Sequence, residues 1–329
     1  MNKFLNTFPK IFIFLIVGLQ ILVIYSLLTR IDQKKSGQIL GTFETNPMNK
    51  DYLIFPETSE LKHFYEPKPN SVIVDNLPWM PYQPIYNINS DALNSENEYL
   101  LDKDSHVLRI VAMGDSHTFG SRVNTVDNYP SQLERLLNQQ YTSCSNNYNK
   151  FEVINIGEGG YEIAYAIHRY FIRGAKYKPD LILWYIKADD FDEDTDVIFD
   201  ALYDCDEKNP NYKSENATVE EWHYCWNQSR KYMYDKYSKS EIFDKNSKLL
   251  IEFVSRLNTK IIFFGYKDES KNVVNFLNSL TSKNNVYYFN DVKFTDLPRL
   301  PDYHPTVQGY KILVDMLANY INENFLHCY

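Results

Sequence analysis

From residue 108 onward, short apolar runs and amphipathic stretches alternate along the chain. Runs at 108–113, 151–156, 180–186, 260–265 and 285–289 are near-continuously apolar and rich in β-branched and aromatic residues, which predicts buried strands. Between and after them, 130–140, 161–175, 246–257, 270–281 and 306–325 carry helical spacing. In the last, Tyr310, Ile312, Leu313, Met316, Leu317, Tyr320 and Ile321 recur at three- and four-residue intervals, one apolar face of a helix. Apolar strands separated by helices predict an α/β fold: a doubly wound three-layer sandwich whose central parallel sheet is covered on both faces. Ligands gather at the carboxyl ends of the strands in such sheets.

Three stretches depart from this alternation. From Ile11 to Leu28 the chain is almost wholly apolar, interrupted only by Gln20 and Ser26. Eighteen helical residues span about 27 Å, close to the roughly 30 Å hydrocarbon core, so a membrane-spanning helix is expected. The run ends in Tyr25-Ser26-Leu27-Leu28-Thr29-Arg30 without the small-residue site of a cleaved signal peptide, which favours an uncleaved signal-anchor. Lys3 and Lys10 precede the span, and Arg30, Lys34 and Lys35 follow it. The expected organisation is a cytoplasmic tail, anchor and linker start at 1–36, with the remainder extracytoplasmic on the periplasmic or extracellular side.

Residues 37–107 form the second departure. Pro56, Pro67, Pro69, Pro78, Pro81 and Pro84 prevent long helices and central strands there, so an extended lead-in draped on the domain at 108–329 is expected. The third, at about 191–245, opens with Asp190, Asp192, Glu193, Asp194 and Asp196 and continues with Tyr203, Tyr212, Trp222, Tyr224, Trp226, Tyr232, Tyr234 and Tyr237. Insertions of this length at a catalytic edge commonly carry substrate contacts. The acidic cluster lacks the spacing of a calcium loop and reads as a solvated charged loop.

Composition narrows the partners. The net charge is −9 and no long basic run occurs, which excludes a nucleic-acid partner. The chain holds 27 tyrosines and 20 phenylalanines, enough to line a groove with aromatic rings. Cys144, Cys205, Cys225 and Cys328 allow three disulfide pairings. Cys205 and Cys225 bracket one tyrosine-rich segment, where a local bridge fits an oxidising compartment. None of the four has metal-ligand spacing.

The first strand ends in Gly114-Asp115-Ser116, a tight turn that presents a hydroxyl. A serine needs a base to take its proton and donors to hold the oxyanion. Near the C-terminus, in L-P-D-Y-H-P, His304 stands before the last helix with Asp302 two residues earlier, so the carboxylate can fix the imidazole tautomer. After the second strand, Gly157-Glu158-Gly159-Gly160 can bring a backbone amide close to a substrate. His117, next to the serine, reads as a partly exposed loop histidine.

With these blocks in this order, residues 108–325 resemble the SGNH hydrolases, also called the GDSL lipase/esterase superfamily. The resemblance implies an SGNH/flavodoxin-like fold, Ser116 as nucleophile, His304 as base and Asp302 as its orienting acid. It implies an oxyanion hole from the amides of Ser116 and Gly160, and no metal or organic cofactor. One block departs. After the third strand the family has a glycine, one residue, then Asn-Asp; here the stretch is Lys187-Ala188-Asp189-Asp190. Asp189 occupies the asparagine position, where an ionised carboxylate repels the developing charge unless it is protonated or another donor replaces it. Losing one such donor costs roughly 3 kcal/mol or more.

The expectation is a membrane-anchored serine ester hydrolase, or related acyl-transfer enzyme, acting on an O-acylated or O-acetylated glycan or a small ester. The alternative is a catalytically silent SGNH-fold protein of the cell envelope that binds a glycan or a partner. A lipase acting on membrane lipids fits the anchor, but the insertion lacks an amphipathic apolar lid.

Overall fold

The apolar runs form the strands that their pattern predicts. In the computed structural model, which describes residues 39–40, 52–142 and 148–328, they become β1 (Val107–Gly114), β2 (Lys150–Asn155), β3 (Leu181–Tyr185), β4 (Lys260–Tyr266) and β5 (Val286–Val292). All pair in parallel in the order β5-β4-β3-β1-β2. The chain order reverses between β1 and β3, so a crevice opens at their carboxyl ends.

In chain order the helices are α1 (Ser116–Phe119), α2 (Tyr129–Gln140), α3 (Ile163–Arg169), α4 (Ala188–Asp192) and α5 (Thr195–Lys208). There follow α6 (Val219–Trp222), α7 (Tyr224–Lys236), α8 (Lys239–Arg256), α9 (Lys271–Leu280) and α10 (Val307–Ile321). Side chains alternate across β1, as the two-residue period of a strand requires. Leu108, Ile110 and Ala112 pack with Leu133 and Leu137 of α2 and Leu313 and Leu317 of α10. Val111 and Met113 face Ile163 of α3, Leu250 and Phe253 of α8 and Val273 and Leu277 of α9. The expected sandwich is therefore present.

Two boundaries differ from the pattern. The helix expected at 246–257 begins at Lys239, because the Ser238 hydroxyl accepts from Glu241 N while the Glu241 carboxylate accepts from Ser238 N, a capping box seven residues ahead of the clear apolar face. The stretch at 161–175 is α-helical only over 163–169, then changes pitch through Tyr170–Gly174 and Ala175–Tyr177.

The acidic cluster is not a solvated loop. Asp190 is buried in α4, and the Asp194 carboxylate caps α5 by accepting from Val197 N. Asp196 accepts from the backbone N–H groups of Lys62 and His63 and from the Tyr165 hydroxyl. Helix starts and lead-in amides consume these carboxylates, which the sequence alone presents as a charge run.

The lead-in is extended, as its prolines dictate, with antiparallel pairing of Leu53–Ile54 to Glu66–Pro67 and of Ser71–Val74 to Ile85–Ile88. It is nevertheless deeply embedded: Tyr52, Ile73 and Tyr86 are fully buried. They share a third apolar cluster with Phe119, Tyr161 and Tyr165 and with Ile198, Phe199 and Met233 of the insertion. Buried Glu66 is bound by Arg169 at 3.0 Å and Arg173 at 2.6 Å. Cys205 and Cys225 form a disulfide joining α5 to α7. Among the described residues no helix is long and apolar enough to cross a membrane, and the span expected at 11–28 lies outside them.

Candidate active site

Gly114 lets β1 turn directly into α1. Its φ is +143°, and a Cβ there would stand 2.5 Å from Thr118 Oγ1 and 2.7 Å from Tyr185 O, so a side chain is excluded. Asp115 caps the short helix by accepting from His117 N at 2.8 Å, which leaves Ser116 as its first residue. First-turn amides have no partner within a helix, so the Ser116 N–H is available to a ligand.

The last turn before α10 brings a histidine to the serine. His304 Nε2 lies 2.9 Å from Ser116 Oγ, and His304 Nδ1 lies 2.8 Å from Asp302 Oδ2. Tyr303 between them has φ +70°, which puts the two flanking side chains together. The three residues singled out in the sequence thus form one hydrogen-bonded chain.

That chain continues into residues the sequence did not point to. Arg122 Nε donates to Asp302 Oδ2 at 2.7 Å and Arg122 Nη1 donates to Asp75 Oδ2 at 2.9 Å; both the guanidinium and Asp75 are fully buried. The Tyr86 hydroxyl donates to Asp75 at 2.7 Å and accepts from Arg122 N at 2.9 Å, and the Trp79 ring lies 5.6 Å from the guanidinium. Burial alone would raise the Asp302 pKa, but His304 and Arg122 hold it well below the usual carboxylate range. Asp302 is therefore a fixed anion against the imidazole.

Gly160 joins the same cleft with φ +72°, and the Tyr65 hydroxyl, donating to Gly159 O, would be 2.9 Å from a Cβ at Gly160. The lead-in thus pins the glycine loop as well as the triad. Asp189 is also in the cleft, half-exposed, and both its oxygens accept from Lys187 Nζ at 3.0 Å. Lys187 Nζ donates to Asp115 Oδ2 at 2.5 Å too. Although burial lowers an ammonium pKa, Asp115, Asp189 and Asp190 keep Lys187 well above the ordinary lysine range.

His117 is buried rather than partly exposed, because it lies within α1 under the sheet edge. Its ring stacks on that of His304 at 4.9 Å and 28°. Burial, with Lys187 adding to the effect, pushes its pKa down to about 4, so it is neutral beside the base.

The cleft holds about 680 Å³. Ser116, His304, Gly160 and Lys187 lie along it, and Phe199, Leu202, Tyr212, Val219, Trp222, Trp226 and Arg230 of the insertion wall it. A separate pocket of about 390 Å³ lies at the opposite strand ends, beside Leu108, Asp180 and Lys260, and contains none of the candidate residues. Lys187, Arg122, Asp75 and Tyr65 were missed from sequence. Lys187 had one usable signal, a basic residue directly after the apolar run L-I-L-W-Y-I. The others have none, since their partners are distant in the chain.

The fold and the site together define an α/β domain whose doubly wound sheet carries a hydrogen-bonded Ser-His-Asp chain at its switch point. It is similar to a protein assigned to the lipolytic G-D-S-L family from Desulfitobacterium hafniense (16% identity, 64% of this chain and 98% of that one, TM-score 0.37). It is similar to a family two carbohydrate esterase from Clostridium thermocellum, solved with cellohexaose (12% identity, 65% of this chain and 63% of that one, TM-score 0.37). A third similarity is to a lipase/acylhydrolase from Enterococcus faecalis (18% identity, 65% of this chain and 95% of that one, TM-score 0.39). No protein-family model and no curated protein matches the sequence.

Proposed function

We propose that this protein is a serine ester hydrolase of the SGNH type that removes or transfers O-acyl groups. The observation that carries this reading is the unbroken chain Ser116–His304–Asp302–Arg122 at the mouth of a walled cleft. Ser116 Oγ attacks the acyl carbon as His304 Nε2 takes its proton, and the carbonyl electron pair moves to oxygen. The amides of Ser116 and Gly160 face the oxygen that gains charge. The carbonyl re-forms as the bond from the acyl carbon to the alcohol oxygen breaks and His304 returns the proton to that oxygen, and a water or acceptor hydroxyl repeats the steps to release the acyl group.

The walls favour a sugar-bearing ester. Trp226 and Tyr212 offer rings against which a sugar face can stack, and Asn227 and Arg230 offer polar partners beside them. The apolar stretch at 11–28 supports membrane anchoring with the cleft on the extracytoplasmic side. A catalytically silent binding protein is favoured only by Asp189.

The test is hydrolysis of a short acetyl ester and of an acetylated oligosaccharide by the full-length protein in detergent, beside Ser116→Ala. A loss of about 10³-fold or more in kcat is expected with unchanged unfolding temperature. Equal turnover by both folded proteins overturns the hydrolase reading.

A further inference from the structure

Where the resembling family has a glycine and an asparagine, this chain has Lys187 and Asp189, and the structure brings the two together. Lys187 stands two residues past β3, at the switch point, and its side chain is only one-tenth exposed. Its ammonium donates to Asp115, the residue before Ser116, and to both oxygens of Asp189. The cation is therefore clamped between the nucleophile turn and the carboxylate that occupies the asparagine position.

Not every acid around it carries a charge. Burial raises the Asp190 pKa well above the carboxylate range. Burial, with Asp189 adding to the effect and Arg230 opposing it, pushes Glu193 up to about 8. Asp115, by contrast, is held well below the ordinary range, chiefly by Lys187 and His117 acting against its burial. The Lys187 ammonium thus faces the carboxylates of Asp115 and Asp189, Asp302 lies behind His304, Arg230 stands farther along the wall and His117 is neutral.

We propose that the Lys187 ammonium is the cationic member of the oxyanion site: it neutralises Asp189 and supplies the charge stabilisation that the asparagine amide supplies in the resembling family. This rests on the serine-hydrolase reading and deepens it. As the bond from Ser116 Oγ to the acyl carbon forms, the carbonyl pair becomes an alkoxide held by the amides of Ser116 and Gly160. Lys187 keeps all its protons throughout, since His304 handles the only proton transferred. A carboxylate at 189 without its counter-ion opposes that alkoxide; a carboxylate paired with an ammonium does not.

Three variants of the full-length protein test this with the short acetyl ester and with an alkylboronic acid, which forms a tetrahedral anion on a reactive serine. Lys187→Met should lower kcat by about 10²- to 10³-fold, the loss typical of one missing oxyanion donor, with KM changed less than about threefold. Its affinity for the boronic acid should fall by a similar factor. Lys187→Arg, which keeps the cation, should hold more activity than Lys187→Met, and the double variant Lys187→Gly/Asp189→Asn should recover to within about tenfold of the wild type. Undiminished kcat and boronate affinity in Lys187→Met overturn the proposal. So does a folded double variant as inactive as Lys187→Met, because Lys187 is then only a structural clamp. Should Lys187→Met fail to fold, the double variant and Lys187→Arg decide by the same readouts. Boronate binding that is equal in wild type and Ser116→Ala would instead sink the hydrolase reading itself.

Discussion

The two segments that break the strand-helix alternation both surround the site, but they do opposite work. The lead-in lies behind the Ser-His-Asp chain: Asp75 and Tyr86 fix Arg122, which fixes Asp302, and Tyr65 holds the glycine loop through Gly159 O. Its contributing side chains are buried, one carboxylate and two phenols. The insertion lies in front, where Tyr212, Trp222 and Trp226 wall the cleft and a disulfide ties α5 to α7. Changes in the lead-in should therefore be felt in kcat and stability, and changes in the insertion in substrate binding.

The largest break in this contrast should come from Arg122→Met, which removes a cation from between two buried carboxylates. Breaking a buried ion pair from one side costs about 3–5 kcal/mol, and denaturant unfolding should report a loss of that order. With Asp302 no longer held from behind, kcat should fall by about 10²-fold or more while KM moves little. A stable variant with only a raised KM would show that the lead-in does not position the triad.

Trp226→Ala is the counterpart in the insertion. Losing one stacking ring should raise KM for an acetylated oligosaccharide about five- to tenfold, roughly 1–1.4 kcal/mol, and leave turnover of a short acetyl ester within about twofold. Equal losses on both substrates would mean that the ring supports the glycine loop, which it neighbours at Gly160, rather than the sugar.

The difference between the segments also explains what could be read from the sequence. The sheet was legible because strand burial is a local pattern: β3 is apolar at every position, and β1 at every position but Arg109, which is buried in an ion pair with Glu152. Ser116, His304 and Asp302 were legible because each sits in a short motif at the end of a predicted element. Arg122 was not, because nothing beside it in the chain signals that it will be buried with Asp75 and Asp302, 47 and 180 residues away. The acidic run at 190–196 misled for the same reason, since a carboxylate that caps a helix or binds lead-in amides has the same letter as one in solvent. His117 was misplaced because α1 is a single turn, too short to leave a period.

The smallest effect at acid pH should come from Glu158→Gln, beneath the glycine loop. Glu158 is fully buried and its Oε1 accepts from Gly159 N at 3.1 Å. Burial, only partly offset by Arg169, pushes its pKa from an ordinary 4.5 up to about 8. Between those values the folded protein keeps a proton that the unfolded chain releases. Stability therefore falls as pH rises through this window, by up to about 1.4 kcal/mol per pH unit for this one group. Glutamine mimics the protonated form, so the variant should match the wild type near pH 5 and exceed it near pH 8 in denaturant unfolding. Glu162 and Glu193, also pushed up to about 8 by burial, remain in the variant, so it should still lose stability toward alkaline pH, with one proton less in the slope. Identical slopes in the two proteins would mean that Glu158 is ionised in the fold. The loop under Gly160 would then carry a negative charge behind the oxyanion site, and the protein would depend more heavily on Lys187 to offset it.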